Sequence, residues 1–228
     1  MAEGLCRLLD KKSKIYLVDH DRVEQHNLIR QNFYAEDLGR FKCQALAERL
    51  AVKFGREIGY QIEPISAEWQ NHARVIIGCV DNATARMEIH KITNNYSWWL
   101  DAGNSHHSGQ VLIGNVTRKD HLKESFLPDG MVLGLPAPSL QAPGLLIPAE
   151  VPKMDCAEAV AANEQSPVIN QAMAALVLEA VRRLVAGEMD WMAAYLDLEM
   201  GTLQYSRIDP VAVARIGAIR RNLLLKES

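Results

Sequence analysis

The sequence predicts an α/β protein built on a doubly wound, mainly parallel sheet. Two short apolar runs, residues 14–18 (KIYLV) and 74–80 (RVIIGCV), are continuous rather than alternating, as expected of strands buried on both faces of a parallel sheet. Each run is closed by an aspartate, Asp19 or Asp81. Helical spacing of apolar residues between the runs completes the alternation of strand and helix that is typical of doubly wound folds.

The elements between and after these runs follow in order. A first crossover helix is predicted over Lys42–Phe54, with Gly55 as its stop. Residues 60–66 predict an edge strand, because Pro64 would be awkward in a central one. A second crossover helix is predicted over Asn82–Asn94, and two further strands are predicted in SWWLDAG and GQVLIGN.

The C-terminal half departs from this alternation. Residues 117–155 contain six prolines, which leave no room for a continuous helix or a central strand. We therefore expect a long crossing segment that wraps the sheet or covers a site. A long helix is predicted over Ser166–Val185, with Pro167 in its first turn. Residues 195–209 predict an antiparallel hairpin turning near Gly201.

Composition excludes several classes of protein. Hydrophobic residues make up 48% and charged residues 23% of the 228 residues, as in a globular protein. The formal net charge of −3 gives no general attraction to nucleic acid. No apolar stretch approaches the roughly 20 residues of a membrane span, so we expect a cytoplasmic location and no membrane partner. The four cysteines form no C-x-x-C pair, so no structural zinc and no disulfide framework are expected.

Polar side chains follow the ends of the predicted strands, which is where doubly wound sheets bind ligands. Asp19 is the candidate for a nucleotide ribose, and a turn-capping aspartate is the structural alternative. Asn27, Arg30 and Lys42 supply an amide and two cations suited to a triphosphate. Asp81 supplies a carboxylate suited to Mg²⁺. Each of these residues taken singly is also compatible with an ordinary solvated surface group.

Three stretches carry a resemblance to a known family. DHDRVEQHNLIRQNF, DLGRFK and CVDNATAR resemble, in order and separation, the D-x-D-x-V-x-x-x-N-L-x-R-Q, D-x-G-x-x-K and D-N-x-x-x-R motifs of the ThiF/MoeB/HesA family of ubiquitin-activating-enzyme-like adenylyltransferases. The similarity continues through LDAGNSHHSGQVLIGN and into the helix near Ser166, so it covers most of the chain. The tryptophan pair, the proline-rich crossing and MDCAEAV look most similar to ThiF-like proteins of the PRTRC gene cluster.

The resemblance implies a Rossmann-like fold with a C-terminal antiparallel extension, and it implies an activity. A C-terminal carboxylate of a ubiquitin-like or sulfur-carrier protein would attack the α-phosphate of ATP, with Mg²⁺ as cofactor, to give an acyl adenylate and pyrophosphate. Such a reaction requires positioning and charge neutralisation rather than a general base. A homodimer is also expected by resemblance.

The resemblance also implies roles for individual residues. It assigns the ribose to Asp19, Mg²⁺ to Asp81, and the phosphates to Asn27, Arg30 and Lys42. Asn82 and Arg86 would shape the magnesium end of the pocket. The domain would be single, over residues 1–228, with a nucleotide-binding part (1–116), the crossing segment (117–155) and a C-terminal helix and hairpin (156–228).

Two further groups admit alternatives. Cys156, in MDCAEAV, lies where some family members carry a cysteine that takes the acyl group, and a thiol near a helix N-terminus is a better nucleophile. A buried, inert cysteine is the alternative. His106 and His107 can suggest a metal, but adjacent histidines in a polar turn are more often exposed surface groups.

The chain departs from the family at its start. The family begins with a strand and a G-x-G-x-x-G loop that leads into a phosphate-binding helix, whereas residues 1–9 resemble only the remainder of that helix. We therefore expect an N-terminally truncated form that lacks the first strand and glycine loop, binds ATP weakly and is marginally stable.

Two other functions remain open at this stage. A non-catalytic ThiF-like scaffold that binds a partner is supported by the missing glycine loop. A nicotinamide-dependent oxidoreductase would also use Asp19 on a ribose, but it gives no reason for Asn27, Arg30 and Lys42 to cluster.

Overall fold

Seven strands form two sheets in the computed structural model of the chain, which describes residues 1–69, 72–94, 96–148 and 167–226. The first sheet pairs β1 (Ile15–Val18) in parallel with β2 (Ile58–Gln61). The second sheet contains, in spatial order, β3 (Val75–Gly78), β4 (Trp98–Asn104), β5 (Ser108–Gly114), β6 (Trp191–Asp197) and β7 (Thr202–Arg207).

Parallel and antiparallel pairings both occur in the second sheet. β3 pairs in parallel with β4, and Gly78 lies opposite Asp101 in that register. The remaining pairings, β4–β5, β5–β6 and β6–β7, are antiparallel. The predicted α/β architecture with a C-terminal antiparallel extension is confirmed. The extension is a larger share of the sheet than expected.

The parallel part of the sheet is divided. Among the described residues, no strand hydrogen-bonds to both β1 and β3. A single continuous sheet would require a strand paired on both of its edges at that place. The two sheets are held together by packing instead. Ile15 and Ile58 of the first sheet share one apolar cluster with Leu100 and Val111 of the second.

Seven α-helices surround the strands in the described part of the chain. They are α1 (Ala2–Leu8), α2 (Asn27–Arg30), α3 (Lys42–Phe54), α4 (Ala83–Ile92), α5 (Pro138–Gln141), α6 (Pro167–Ala186) and α7 (Pro210–Gly217). Short 3₁₀ turns lie at Ala35–Asp37, Lys119–Leu122, Pro143–Leu146 and Arg221–Leu223. None of these described helices has both the length and the hydropathy needed to cross a bilayer.

Local signals account for the helix boundaries. α3 has the predicted bounds, and it ends where Gly55 adopts a left-handed conformation at φ 57°. α4 is shorter than predicted, because Thr93 is already extended. Strand β2 begins two residues earlier than predicted and ends at Gln61, so Pro64 lies outside the sheet. In α6, Pro167 is the first described residue, and Ile169 and Val177 face the core.

The described part of the crossing segment, residues 117–148, contains no long helix or sheet strand, as predicted. It packs its backbone against β5. Gln141 Nε2 donates hydrogen bonds of 2.8 Å to the carbonyls of Ile113 and Pro136. His90 of α4 forms a hydrogen bond with Ser139, with 2.9 Å between His90 Nδ1 and Ser139 Oγ. The segment is therefore fixed to the sheet and to α4.

Gly114 allows this close backbone approach, and Gly114→Ala is expected to be destabilising. A methyl group at Gly114 would lie 2.0 Å from the carbonyl oxygen of Pro136, so the crossing segment would have to move away from β5. We expect the free energy of unfolding to fall by about 1–3 kcal/mol, measured by urea denaturation. Gly144→Ala is the matched control, because nothing lies within 4 Å of that position. Equal urea midpoints for the two variants would contradict the expected clash.

Candidate nucleotide site

Asp19 follows β1 directly and begins a tight turn. Its Oδ1 accepts a hydrogen bond from the backbone N–H of Asp21 at 2.8 Å, and its own N–H donates to the carbonyl of Gln61 at 3.1 Å. Partial burial raises the pKa of the Asp19 carboxyl, and the nearby Lys42 ammonium opposes that rise. Asp19 therefore caps a turn, which was the structural alternative for this residue. Ribose binding by Asp19 remains a prediction.

Lys42 is the first residue of α3 and points back to the same turn. Its Nζ donates to Asp21 Oδ2 at 2.8 Å, and its backbone N–H donates to the carbonyl of Asp21, also at 2.8 Å. The hydrogen bond from Lys42 holds the pKa of Asp21 below its usual range. The neighbouring Cys43 thiol donates to the carbonyls of Asp19 and Gln61 at 3.0 and 3.3 Å. These contacts fasten the start of α3 to the ends of β1 and β2.

Asp21 is a site residue that sequence reasoning did not single out. It stands in the D-x-D stretch of the first motif, which was the available signal. Its carboxylate joins Asp19 and His20 in a group whose ligand atoms lie within 4.8 Å of one another. Within the described residues this is the one such group of three, and it does not contain Asp81.

Asn27 and Arg30 occupy the two ends of the four-residue helix α2. Asn27 is 2% exposed, and its Oδ1 accepts a hydrogen bond from the N–H of Glu24 at 2.9 Å. Its side chain therefore shapes the turn before α2 and faces the protein interior. The phosphate contacts expected of Asn27 and Arg30 remain predictions.

Asp81 and Asn82 lie between β3 and α4. The exposed carboxylate of Asp81 accepts a hydrogen bond from Asn82 Nδ2 at 3.1 Å. Asn82 Oδ1 in turn accepts from the N–H of Ala85 at 2.8 Å and so caps α4. This arrangement presents the Asp81 carboxylate to solvent in the connection after β3, where a hard cation could be bound with phosphate and water as its other ligands.

Arg86 is buried beneath this end of the site and paired with Asp101. Its Nε lies 3.2 and 3.1 Å from the two carboxylate oxygens of Asp101, which is fully buried in β4. Burial raises the pKa of Asp101, and the Arg86 guanidinium acts against that rise. Sequence reasoning missed Asp101, although a charged residue inside the otherwise apolar WWLDAG run was a signal.

The contacts of helix α1 indicate that β1, β2 and β3 run in the same direction. At its start, Met1 Sδ lies 3.9 Å from Cys79 Sγ, directly after β3. At its end, the carbonyls of Leu9 and Ser13 accept hydrogen bonds from Arg56, close to the amino ends of β1 and β2. The helix therefore runs opposite to β1, β2 and β3, and their carboxyl ends face the same side.

The histidine pair and Cys156 are the other sequence candidates. His106 and His107 form the exposed tip of the β4–β5 hairpin, with His106 Nδ1 2.8 Å from His107 Nε2. Cys156 lies outside the described residues, so its proposed role remains a prediction.

The model of the ThiF family matches residues 12–209, a span that includes Asp19, Lys42, Asp81 and Asp101. The chain belongs to the ThiF family. No curated protein is significantly similar in sequence to this ThiF-family chain.

Solved structures share the fold of this ThiF-family chain. The crystal structure of selenomethionine PaaA matches with a TM-score of 0.60 and 16% identity, over 91% of this chain and 76% of PaaA. E. coli MccB matches with a TM-score of 0.57 and 14% identity, over 94% of this chain and 59% of MccB. MccB with AMPCPP and MccA matches with a TM-score of 0.53 and 13% identity, over 86% and 56%. The chain thus spans less than two thirds of MccB, and at these identities the likeness establishes the fold alone.

Proposed function

We propose that this chain binds Mg-ATP across the carboxyl ends of β1 and β3 and transfers the adenylyl group to a carboxylate. The proposal is supported by the charged groups that follow two strands of like direction: the Lys42 ammonium with its acidic turn after β1, and the exposed Asp81 carboxylate after β3. Membership of the ThiF family supports the adenylyl-transfer chemistry.

The proposed roles follow from the position of each residue in the chain. Asp19, at the end of β1, is placed to accept hydrogen bonds from ribose hydroxyls. Lys42 would contact phosphate oxygens as a point charge, with Arg30 from α2 as a second cation. Asp81 would bind Mg²⁺ through its exposed carboxylate. Asn27 supports the turn before α2, and Asn82 fixes the start of α4.

The reaction proposed is a direct displacement at phosphorus. A carboxylate oxygen of the acceptor bonds to the α-phosphorus of ATP, the α–β phosphoanhydride bond breaks, and pyrophosphate leaves with its electron pair. Two anions must be brought together, so the contribution of the chain is positioning and neutralisation of charge. No proton has to be removed, because the acceptor is already ionised.

The acceptor proposed is the C-terminal carboxylate of a small protein or peptide. The solved structure of MccB with AMPCPP and MccA supports a nucleotide and a small partner on this fold. A ubiquitin-like or sulfur-carrier protein is the finer proposal, together with a homodimer and later transfer of the acyl group to Cys156. These finer features rest on the family resemblance.

The experiment is a nuclear magnetic resonance titration of the chain with ATP, with and without Mg²⁺. The 228 residues contain no G-x-G-x-x-G stretch, so we expect a weak dissociation constant of about 0.1–1 mM. Mg²⁺ should tighten it, and Asp81→Asn should remove the tightening. Asp129→Asn is the matched control, since Asp129 is an exposed turn aspartate of the crossing segment.

The same titration tests the rival function. A scaffold that binds a partner without chemistry is favoured by the divided parallel sheet of the described residues. If Mg-ATP moves no signals at Asp19, Lys42 or Asp81, nucleotide chemistry is excluded for this chain and the scaffold becomes the better proposal.

A further inference from the structure

The Arg86–Asp101 pair is a buried charged pair whose presence stability alone does not explain. Only the Nε of Arg86 is engaged by Asp101, and the side chains are 9% and 0% exposed. Removing two charges from water is costly, and an apolar pair of similar volume is often as stable or more so. Because stability does not explain this pair, we consider a role for it in ligand binding.

The pair is oriented toward the carboxyl edge of the sheet. Asp101 lies opposite Gly78, the last residue of β3, and Gly103 lies two residues further along β4. A methyl group at Gly103 would lie 3.4 Å from Arg86 Nη2. The guanidinium thus extends from Asp101 in the direction in which β4 approaches the edge where Asp81 stands.

The terminal nitrogens of Arg86 have no hydrogen-bond acceptor among the described residues, which leaves them available to a ligand. A second donor lies at the same place. Trp99 Nε1 is fully buried and also lacks a described acceptor. A methyl group at Gly78 would be 3.2 Å from both Trp99 Nε1 and Asp101 Oδ1. The absence of a side chain at Gly78 is what lets these polar atoms lie together beside the last residue of β3.

We infer that Asp101 is a positioning residue, which holds Arg86 so that its terminal nitrogens bind an oxyanion of the substrate at the Asp81 end of the site. The inference rests on the proposed function and deepens it. A guanidinium is planar by delocalisation, and a carboxylate at its Nε fixes the orientation of that plane, so that the terminal N–H groups can bind a phosphate or a carboxylate. The bound oxyanion is therefore either a phosphate oxygen of ATP or the carboxylate of the acceptor.

The test follows the ¹⁵Nε–¹Hε signal of Arg86 in the wild-type chain, together with ligand affinity in variants. Mg-ATP, pyrophosphate and glycylglycine are titrated separately, glycylglycine standing for a C-terminal carboxylate. We expect the Arg86 signal to move with at least one of them. Movement with pyrophosphate assigns the phosphate oxygen, and movement with glycylglycine assigns the acceptor carboxylate.

Asp101→Asn should keep the shape of the side chain but lose its charge, and it should weaken that ligand about tenfold. Arg86→Lys should weaken it by a similar factor, and the double variant should be no weaker than either single one, because the two residues act as a unit. Arg56→Lys is the matched control. It alters another buried arginine, at the amino ends of the strands, and should lower stability without changing affinity.

The outcomes separate this inference from the proposed function. If wild-type chain binds Mg-ATP while the Arg86 signal stays still and Asp101→Asn binds as tightly, the pair is only structural and the inference is overturned, with the proposed function intact. If wild-type chain binds no Mg-ATP, the proposed function fails and the inference fails with it. The wild-type signal requires no variant, so a poorly folded Asp101→Asn does not prevent a decision.

Discussion

Lys42→Ala is expected to weaken Mg-ATP binding by at least about tenfold, because it removes a charge-assisted contact to phosphate. The Lys42 side chain is 15% exposed, and its Nζ is already held at 2.8 Å by Asp21 at the start of α3. A partly desolvated and fixed ammonium interacts more strongly with an anion than a mobile surface lysine does. The dissociation constant is measured by the same resonance titration with Mg-ATP.

Lys53→Ala is the matched control for this prediction. Lys53 lies in the last turn of the same helix and is also paired with a carboxylate, Glu3 Oε1 at 2.8 Å. It is at the opposite end of α3 from the site, so its replacement should leave affinity unchanged. Equal affinities of the Lys42→Ala and wild-type chains would remove Lys42 from the phosphate site.

Removing Lys42 also leaves the Asp21 carboxylate without its ammonium partner. Two anions, Asp19 and Asp21, would then face the phosphates with less opposing charge. Part of the loss in affinity is therefore repulsion rather than a missing contact. Raising the salt concentration screens that part, so the ratio of variant to wild-type dissociation constants should shrink as ionic strength rises.

The parts of the fold predicted correctly are those with local signals. Continuous apolar runs ended by aspartates marked β1 and β3, and a left-handed glycine position marked the end of α3. The division of the parallel sheet depends on pairings between segments that are distant in the sequence. The residues within β1 or β3 do not indicate which edge of the strand is paired, so this division could not be predicted. The antiparallel share was underestimated for the same reason.

The candidate site divides in the same way. Asp19, Lys42 and Asp81 stand next to strand and helix ends, so the topology predicts that they lie at one edge. Asp101 was missed because its partnership with Arg86 depends on the β3–β4 register and on α4 packing over β4. A contact between residues 15 apart on different elements leaves no spacing that a reader of the sequence can recognise.

Arg56 is a further residue that sequence reasoning passed over, and its replacement is expected to have the largest effect on stability. Arg56 is 8% exposed, and its hydrogen-bond partners among the described residues are all backbone carbonyls. It donates to backbone carbonyls between α1 and β1: to Leu9 at 3.1 Å, to Asp10 at 3.0 Å, and also to Cys6 and Ser13. Carbonyl acceptors are the same in every residue, so no sequence signal pointed to this contact.

Arg56→Ala should lower the free energy of unfolding by about 3 kcal/mol, because four carbonyls, most of them partly buried, lose their donor together. For a chain of this size, that corresponds to a fall in Tm of about 6–12 °C. The loss is a large fraction of the roughly 5–15 kcal/mol that stabilises a typical domain. Thermal and urea unfolding, both followed by circular dichroism, measure the change.

Two further variants locate the cause. Arg56→Lys should recover part of the loss, since an ammonium keeps the charge but cannot reach the spread of carbonyls that a guanidinium fork spans. Arg118→Ala removes an exposed arginine paired with Asp120 at 2.9 Å and should change stability by less than about 0.5 kcal/mol. If Arg56→Ala unfolds at the same temperature as Arg118→Ala, the connection from α1 to β1 does not depend on Arg56, because water or local rearrangement then satisfies those carbonyls equally well.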